Sequence, residues 1–473
     1  MTDTEQGRMV RVPEAPGGGG TLDRFFHIGE RGSTVRIEIV AGLTTWLTMA
    51  YILFVNPLIL GSVPDRAGTT LPFAQVLSVT ALVAGVITIA MGLYANYPFA
   101  LAAGLGLNAF VAFGLVAADG LTWPQAMGVI VAEGILITIL VLSNVREAIM
   151  NAIPMDLKRA IGIGIGLFIA LIGLANAGVV IAGPNPPILA IVPRFQTWSL
   201  ALFVFGLLVT AALVARRVRA ALLIGIVATT IAATIVNEIK HLTVFQDGSA
   251  AWPSKLFAAP DFALVGKFSF SFISALGFWT ALAIVVSVML SDFFDTMGTV
   301  IGIGGEAKLL DGEGRLPGIK KVLLVDSLAA VAGGAASASS NTTYIESASG
   351  VSEGGRTGLT SVVVGLLFLV CLFFSPIAGI VPSVATAPIL VIVGYFMMTL
   401  VKDIDWTDPG IGIPALLTIT LMPFTYSITN GVGAGFVSYT VIAVLRGRGR
   451  DVHPLLYVVA AIFVWYFIHG VVG

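Results

Sequence analysis

The residues of this chain best suited to do chemistry are acidic side chains inside long apolar segments. Asp292, Asp295 and Glu346 lie in such segments, and Glu133 and Asp326 lie in two others. Charged groups are expensive inside a membrane, so an acidic residue there marks a functional site by default. No Lys or Arg lies deep in the same segments. An unpaired buried carboxyl group either takes up a proton or accepts hydrogen bonds from a ligand.

Two of these acids stand on one predicted helix. Asp292, Asp295, Thr296 and Thr299 are spaced i, i+3, i+4 and i+7 and share one helical face. Two acids one turn apart repel each other, so one of them is expected to retain a proton, as proton coupling requires. The alternative is a hydrogen-bond network between packed helices.

Glu346 lies in a polar interruption of an apolar segment, Ser339–Gly350, and the Gly-rich stretch Leu101–Phe110 interrupts the corresponding segment of the first half. Symmetrically broken segments are typical of secondary transporters, whose half-helices meet near mid-membrane. We predict half-helices that start near Leu105 and Tyr344 and point their positive ends at each other. The Glu346 carboxylate could accept two parallel hydrogen bonds from the N–H/NH₂ edge of a heterocycle such as guanine. Capping of its own helix is the alternative.

Other polar residues in these segments receive less specific interpretations. Asn108 could orient a polar ligand or latch the broken helices together. Glu133 and Asp326 are interpreted as structural links between helices, and Glu38 as a residue at a span boundary. Three aromatic residues are predicted to be packing or interfacial anchors: Trp46, Tyr51 and Trp279.

The composition is that of a polytopic membrane protein. The 473 residues are 57% hydrophobic and only 11% charged, with a mean hydropathy of +0.98. The formal net charge of −1 gives no reason to expect a nucleic-acid partner. The single cysteine, Cys371, excludes a disulfide framework and a thiolate metal site. No cofactor is expected, and the lipid bilayer is the expected surrounding.

We predict an all-α fold with about fourteen spans, of which spans 3 and 10 are broken. Residues 1–30 have no apolar core of a signal peptide and are expected to form a disordered cytoplasmic tail. The segment 145–156 is too polar to span and is expected to be interfacial, and 455–472 is left unplaced. The predicted spans, numbered 1 to 14, are 37–60, 74–94, 99–115, 125–143, 157–175, 198–215, 219–237, 278–302, 320–336, 341–352, 357–380, 384–401, 411–428 and 430–446.

The basic residues indicate the orientation of these spans. Clusters that include Arg36, Arg159, Arg217, Lys321 and Arg446 all fall on the side of the N-terminus. The longer loops on the other side, 177–197 and 240–268, hold few basic residues. The positive-inside rule therefore places the N-terminus in the cytoplasm. Spans 1–7 and 8–14 repeat the same order, and an odd number of spans per half inverts the second half.

Four motifs together give the chain a family resemblance from about residue 22 to the C-terminus. They are Arg36–Ile52, Gly104–Phe110, Asp292–Thr299 and Asn341–Gly350. These segments resemble the nucleobase–cation symporter-2 group, and most closely its AzgA-like branch of adenine, guanine and hypoxanthine permeases.

The resemblance implies proton-coupled uptake of purine nucleobases by alternating access, in an inner or plasma membrane protein that forms homodimers. It implies a 7+7 inverted repeat, with a core domain of spans 1–4 and 8–11 (31–144 and 268–380) and a gate domain of spans 5–7 and 12–14 (145–267 and 381–473). By residue, it implies that Glu346 binds the base, with Asp292 and Asn108 beside it. The same substrate site includes Thr343, Leu105 and Ile345. Proton coupling is assigned to Asp292, Asp295 and Glu346.

Two other functions remain open at this point. An anion transporter of the same fold, for sulfate or bicarbonate, would rely on helix dipoles and a cation, and a glutamate at the half-helix start disfavours it. A membrane receptor without turnover would need no symmetric repeat. An enzyme is disfavoured because the glycine cluster Gly302–Gly305 lacks the Lys-Ser/Thr ending of a phosphate loop and no nucleophile–base set is found.

The orientation can be tested with single cysteines introduced in a Cys371→Ala background. We expect cysteines beside Arg216 and Lys320 to be protected from an impermeant thiol reagent in intact cells, and a cysteine in the loop 240–268 to react. Labelling of the Arg216 or Lys320 loop from outside would contradict the inverted repeat. Permeabilised cells, in which all three positions should react, provide the control.

Overall fold

The computed structural model describes residues 20–143, 153–183, 189–194, 196–242, 245, 249–311 and 315–469. Helices account for nearly all of its regular structure, and a helix stands at each of the fourteen predicted spans. Ten helices in these ranges are long and apolar enough to cross a membrane. The chain is therefore an all-α polytopic membrane protein, as its sequence predicts. The predicted interfacial segment 145–156 lies mostly outside the described residues.

The first half contains spans 1 to 7. Its elements are, in order, Val35–Met49 and Ile52–Leu60 for span 1; Phe73–Ala90 and the π-helix Met91–Ala95 for span 2; strand β1 (Leu101–Ala103), helix Leu105–Ala109 and the π-helix Phe110–Ala118 for span 3; Trp123–Leu142 for span 4; Met155–Asn176 for span 5; Trp198–Ala215 for span 6; and Ala221–Lys240 for span 7. Strands β2 (Val180–Ala182) and β3 (Leu189–Ile191) form a hairpin between spans 5 and 6.

The second half repeats this order. Its elements are Phe278–Glu306 for span 8; Ile319–Ala335 for span 9; strand β4 (Asn341–Thr343) and helix Ser347–Ser352 for span 10; Gly358–Cys371, Leu372–Phe374 and Ser375–Gly379 for span 11; Ser383–Met398 and Thr399–Asp403 for span 12; Pro409–Phe424 for span 13; and Ile428–Leu445 for span 14. The remaining helices are Thr21–Phe26, Phe272–Leu276, Gly449–Asp451 and Pro454–His469.

The packing of the spans has the symmetry of a repeat. Span 2 packs on span 11, and the equivalent pair is span 9 on span 4. The contact of span 1 with span 11 likewise corresponds to the contact of span 8 with span 4. The contact of span 5 with span 13 corresponds to the contact of span 12 with span 6. Spans 5 and 12, which are equivalent to each other, share the most extensive contact. Exchange of the two halves therefore maps one set of helix contacts onto the other, and the antiparallel pairing of β1 with β4 is consistent with an inverted repeat.

The structure corrects the sequence prediction for one segment and places a second segment that the sequence left unassigned. Residues 21–30, assigned to a disordered tail, are ordered because Phe26 and Ile28 are buried against Leu359 of span 11. The unplaced segment near the C-terminus forms the helix Pro454–His469. This helix packs on spans 8 and 14 and buries Leu456 and Phe463.

Candidate functional site

The two broken spans meet through a short antiparallel ladder. Strand β1 pairs with β4 in the register Leu101↔Thr343, Ala102↔Thr342 and Ala103↔Asn341. The ladder is extended by Gly104 N–H to the Ser340 carbonyl and by Tyr344 N–H to the Ala100 carbonyl, both at 2.9 Å. All residues of the two strands are buried. Inside a bilayer an unpaired backbone polar group is costly, so each interrupted span supplies the hydrogen bonds that the other lacks.

A cavity of about 120 Å³ opens beside this ladder. One wall comes from spans 1, 3, 8 and 10, and the facing wall comes from span 12. The cavity is lined by Tyr51, Gly104, Leu105, Gly106, Asp295, Thr299, Thr342, Thr343, Tyr344, Ile345, Glu346, Val393, Phe396 and Met397. The structure thus brings five of the predicted site residues together: Glu346, Asp295, Thr343, Leu105 and Ile345.

Glu346 is held in place by span 1. The Tyr51 hydroxyl donates a hydrogen bond of 2.6 Å to Oε1 of Glu346, and Thr48 contacts the Glu346 carbonyl at 3.4 Å. The side chain of Glu346 makes no capping hydrogen bond to its own helix. The cap alternative is therefore not what this structure shows, and the carboxylate faces the cavity.

Tyr51 is the site residue that the sequence interpretation missed. The sequence predicts a packing or interfacial role for it, but it is 1% exposed and points its hydroxyl at Glu346. The one available signal was its position in mid-span, because a buried tyrosine hydroxyl normally needs an acceptor.

The predicted polar face of span 8 is divided between two environments. Asp295 and Thr299 line the cavity. Asp292 and Thr296 are fully buried and are not among the residues that line the cavity. Ser340, which precedes strand β4, donates to Oδ2 of Asp292 at 3.5 Å. Asp292 is therefore close to strand β4 but outside the cavity lining.

Asn108 is also buried outside the cavity lining. Its amide nitrogen contacts the Ala103 carbonyl at 3.5 Å, and its amide oxygen has no hydrogen-bond partner among the described residues. Its one contact is to the backbone of its own broken span. The structure does not bring Asn108 together with Glu346.

Asp326 is a structural link, as the sequence predicts. It accepts hydrogen bonds from the Thr343 N–H at 2.9 Å, the Thr343 hydroxyl at 2.8 Å and the Thr296 hydroxyl at 2.7 Å. These three hydrogen bonds join span 9 to strand β4 and to span 8. Asp326 therefore holds strand β4, whose residues Thr342 and Thr343 line the cavity.

Glu38 is not the boundary residue that we expected. It is fully buried and accepts hydrogen bonds from the N–H groups of Arg356 and Thr357 at 2.9 and 3.2 Å. The Thr360 hydroxyl donates a third bond at 2.6 Å. Glu38 therefore satisfies the free N–H groups at the start of span 11.

The family of the chain follows from comparison with known proteins. A model of a permease family matches residues 36–444. Adenine permease AdeP of Escherichia coli K12 is 41% identical over 447 residues, which cover 94% of this chain and 96% of that protein. Guanine/hypoxanthine permease PbuG of Bacillus subtilis is 38% identical over 450 residues, with 94% and 99% covered.

Among solved structures, the transmembrane domain of the cyanobacterial bicarbonate transporter BicA has the same fold. Its TM-score is 0.54 at 14% identity, and the match covers 91% of this chain and 97% of that one. The fold and the family model together define a membrane permease. The chain belongs to the nucleobase–cation symporter-2 family, as its motifs suggested.

The role of Asp326 can be tested with Asp326→Asn. The amide group would place a donor against one of the three donors that now face the carboxylate, at a cost of roughly 1–3 kcal/mol. We expect less folded protein in the membrane and a lower Tm of the detergent-solubilised protein. Asp403→Asn, at an exposed carboxylate, is the matched control. A Tm equal to that of the parent would contradict the structural role.

Proposed function

We propose that this chain takes up purine nucleobases across the cell membrane by proton symport, with its N-terminus in the cytoplasm. The observation that carries the proposal is the Glu346 carboxylate, which faces the cavity and is oriented by Tyr51. A carboxylate has about four lone-pair positions. The Tyr51 hydroxyl takes one, so two parallel hydrogen bonds from the N–H/NH₂ edge of a purine can still be accepted.

The other lining residues suit a flat ligand with one polar edge. Val393, Phe396 and Met397 give the span 12 wall an apolar surface against which a ring can pack. Leu105 and Ile345 would contact the ligand from the two half-helices. The Thr343 hydroxyl already donates to Asp326, so it can serve a ligand only as an acceptor.

Backbone donors are also available at this cavity. Leu105 and Gly106 begin the helix of span 3 and line the cavity. N–H groups in the first turn of a helix have no partner within the helix. They would suit a ring nitrogen or carbonyl oxygen of the base, opposite the edge that Glu346 recognises.

The proposal includes a division of the chain into a core of spans 1–4 and 8–11 and a gate of spans 5–7 and 12–14. The cavity lies where span 12 faces spans 1, 3, 8 and 10. A relative movement of the two sets would open the cavity to one side of the membrane and then to the other. Homodimers remain part of the proposal, and the proton-coupling groups are Asp292, Asp295 and Glu346.

An anion transporter of the same fold is the weaker alternative. The similarity to the bicarbonate transporter is 14% in sequence and concerns the fold alone. Two carboxyl groups, Asp295 and Glu346, line the cavity, and its lining residues include no Lys or Arg. Like charges repel an anion, so this cavity disfavours one.

Uptake in cells that lack their own purine permeases tests the function directly. We expect labelled adenine, guanine or hypoxanthine to accumulate in cells that express the chain. Accumulation should disappear when an uncoupler collapses the proton gradient, because the gradient supplies the driving force. Uptake of none of the three purines would contradict the proposed substrate, and uptake insensitive to the uncoupler would contradict proton symport.

The binding role of Glu346 is tested by Glu346→Gln in purified protein. Glutamine keeps the size but sets a donor against a donor of the purine, which costs roughly 1–3 kcal/mol. We expect purine affinity to fall by roughly ten- to a hundredfold, since 1.4 kcal/mol is a factor of ten. Glu346→Asp keeps the charge but withdraws it, so it should bind weakly and with a changed preference among purines.

The matched control for these variants is Glu306→Gln, at an exposed carboxylate near the end of span 8. It should bind purines like the parent. If the Glu346→Gln protein also binds purines as tightly as the parent, Glu346 is not the ligand of the base. The site would then have to be sought around Asp295, the other carboxyl group that lines the cavity.

A further inference from the structure

Outside the cavity lining, two buried carboxyl groups lie close to each other. Glu133 of span 4 and Asp292 of span 8 are both 0% exposed, and their side chains lie within hydrogen-bonding reach of each other. Neither residue lines the cavity. A purine bound in the cavity would therefore not contact Asp292, and Glu133 is buried next to Asp292.

The pair has too few hydrogen-bond donors for two carboxylates. Among the described residues, no N–H or O–H group makes a hydrogen bond to either oxygen of Glu133 or to Oδ1 of Asp292. The Ser340 hydroxyl lies near both groups but has a single hydrogen, which reaches Oδ2 of Asp292 at 3.5 Å. Asp326, by contrast, receives three donated hydrogen bonds. The shortage is therefore specific to the pair.

Among the residues that the structure describes, no positively charged group compensates the pair. The titratable groups that face the pair are Asp326 from span 9 and Asp295 on span 8 itself, and both are acids. Two adjacent anions in an apolar interior repel each other strongly, and a buried charge without a partner is costly. A single proton between the two groups removes one charge and supplies the missing donor.

We infer that Glu133 and Asp292 bind one shared proton and form the proton site of the transporter. This inference rests on the proposed function: of its three proton-coupling groups it selects Asp292 as the one that holds the transported proton, and it adds Glu133 as the partner. One group is then a carboxylic acid that donates to the other, which stays a carboxylate. Such a pair takes up and releases its proton as a unit.

A short stretch of chain connects this site to the purine cavity. Ser340 contacts Asp292. Thr342 shares a hydrogen bond of 2.6 Å with Thr296, one turn along span 8 from Asp292. Thr342 and Thr343 also line the cavity. A purine that moves strand β4 therefore changes the position of the Ser340 hydroxyl relative to the carboxyl pair. Binding of the purine and binding of the proton are coupled in this way.

Glu133→Gln in proteoliposomes tests the inference. Glutamine imitates the protonated glutamate, because its amide group can donate to Asp292, but it cannot release a proton. We expect exchange of labelled hypoxanthine between equal internal and external pools to be retained. Accumulation driven by an imposed pH gradient should be lost, so that the internal concentration stops at the external one. Glu306→Gln is the matched control and should accumulate hypoxanthine like the parent.

The outcomes separate this inference from the proposed function. If the parent exchanges and accumulates hypoxanthine and Glu133→Gln still accumulates it, the inference is overturned and the proposed function stands. If the parent moves no purine, the proposed function is wrong. The presence of the shared proton is then tested by infrared spectroscopy alone. We expect the parent at neutral pH to show a protonated-carboxyl band that is lost in Glu133→Gln.

The infrared measurement also covers the case in which Glu133→Gln does not fold. Asp292→Asn then takes its place, since it removes the other half of the pair and should remove the same band. A parent spectrum without a protonated-carboxyl band at neutral pH would overturn the inference whatever the transport result.

Discussion

The need to satisfy backbone hydrogen bonds within a bilayer governs the architecture of this protein. Two spans are interrupted, and each interruption exposes N–H and carbonyl groups that lipid cannot satisfy. The β1–β4 ladder pairs these groups with each other, in the register Ala102↔Thr342. The helices that follow at Leu105 and Ser347 can then begin inside the protein rather than at its surface.

Strand β4 has a different environment on each side. Thr342 and Thr343 of this strand line the cavity. Away from the cavity it is tied to Asp326, and Ser340, which precedes it, contacts Asp292. The Thr343 hydroxyl donates to Asp326 at 2.8 Å, whereas the Ser340 contact with Asp292 is long at 3.5 Å. The strand is therefore held more closely to Asp326 than to Asp292.

Much of the fold could be predicted from the sequence because apolar length and polar interruptions are strong local signals. A helix stands at each predicted span, although in span 10 it covers only Ser347–Ser352, and Glu346 lies at the cavity. The division of span 8 could not be predicted. Helical spacing places Asp292, Asp295, Thr296 and Thr299 on one face. Which of them line the cavity depends on the position of strand β4, which the spacing does not give. The packing of Phe26 on Leu359 and the burial of Glu38 likewise depend on span 11, which is distant in sequence.

The C-terminal helix Pro454–His469 has a mechanical consequence. Trp465 packs against Trp279 of span 8, with ring centroids 6.0 Å apart, and the Tyr466 hydroxyl donates to Asn430 of span 14 at 3.1 Å. The helix is thus attached to both sets of spans. If the two sets move against each other as proposed, one of these attachments would have to slide or break. The helix would then act on the height of the kinetic barrier, and so on the turnover rate, without touching the ligand.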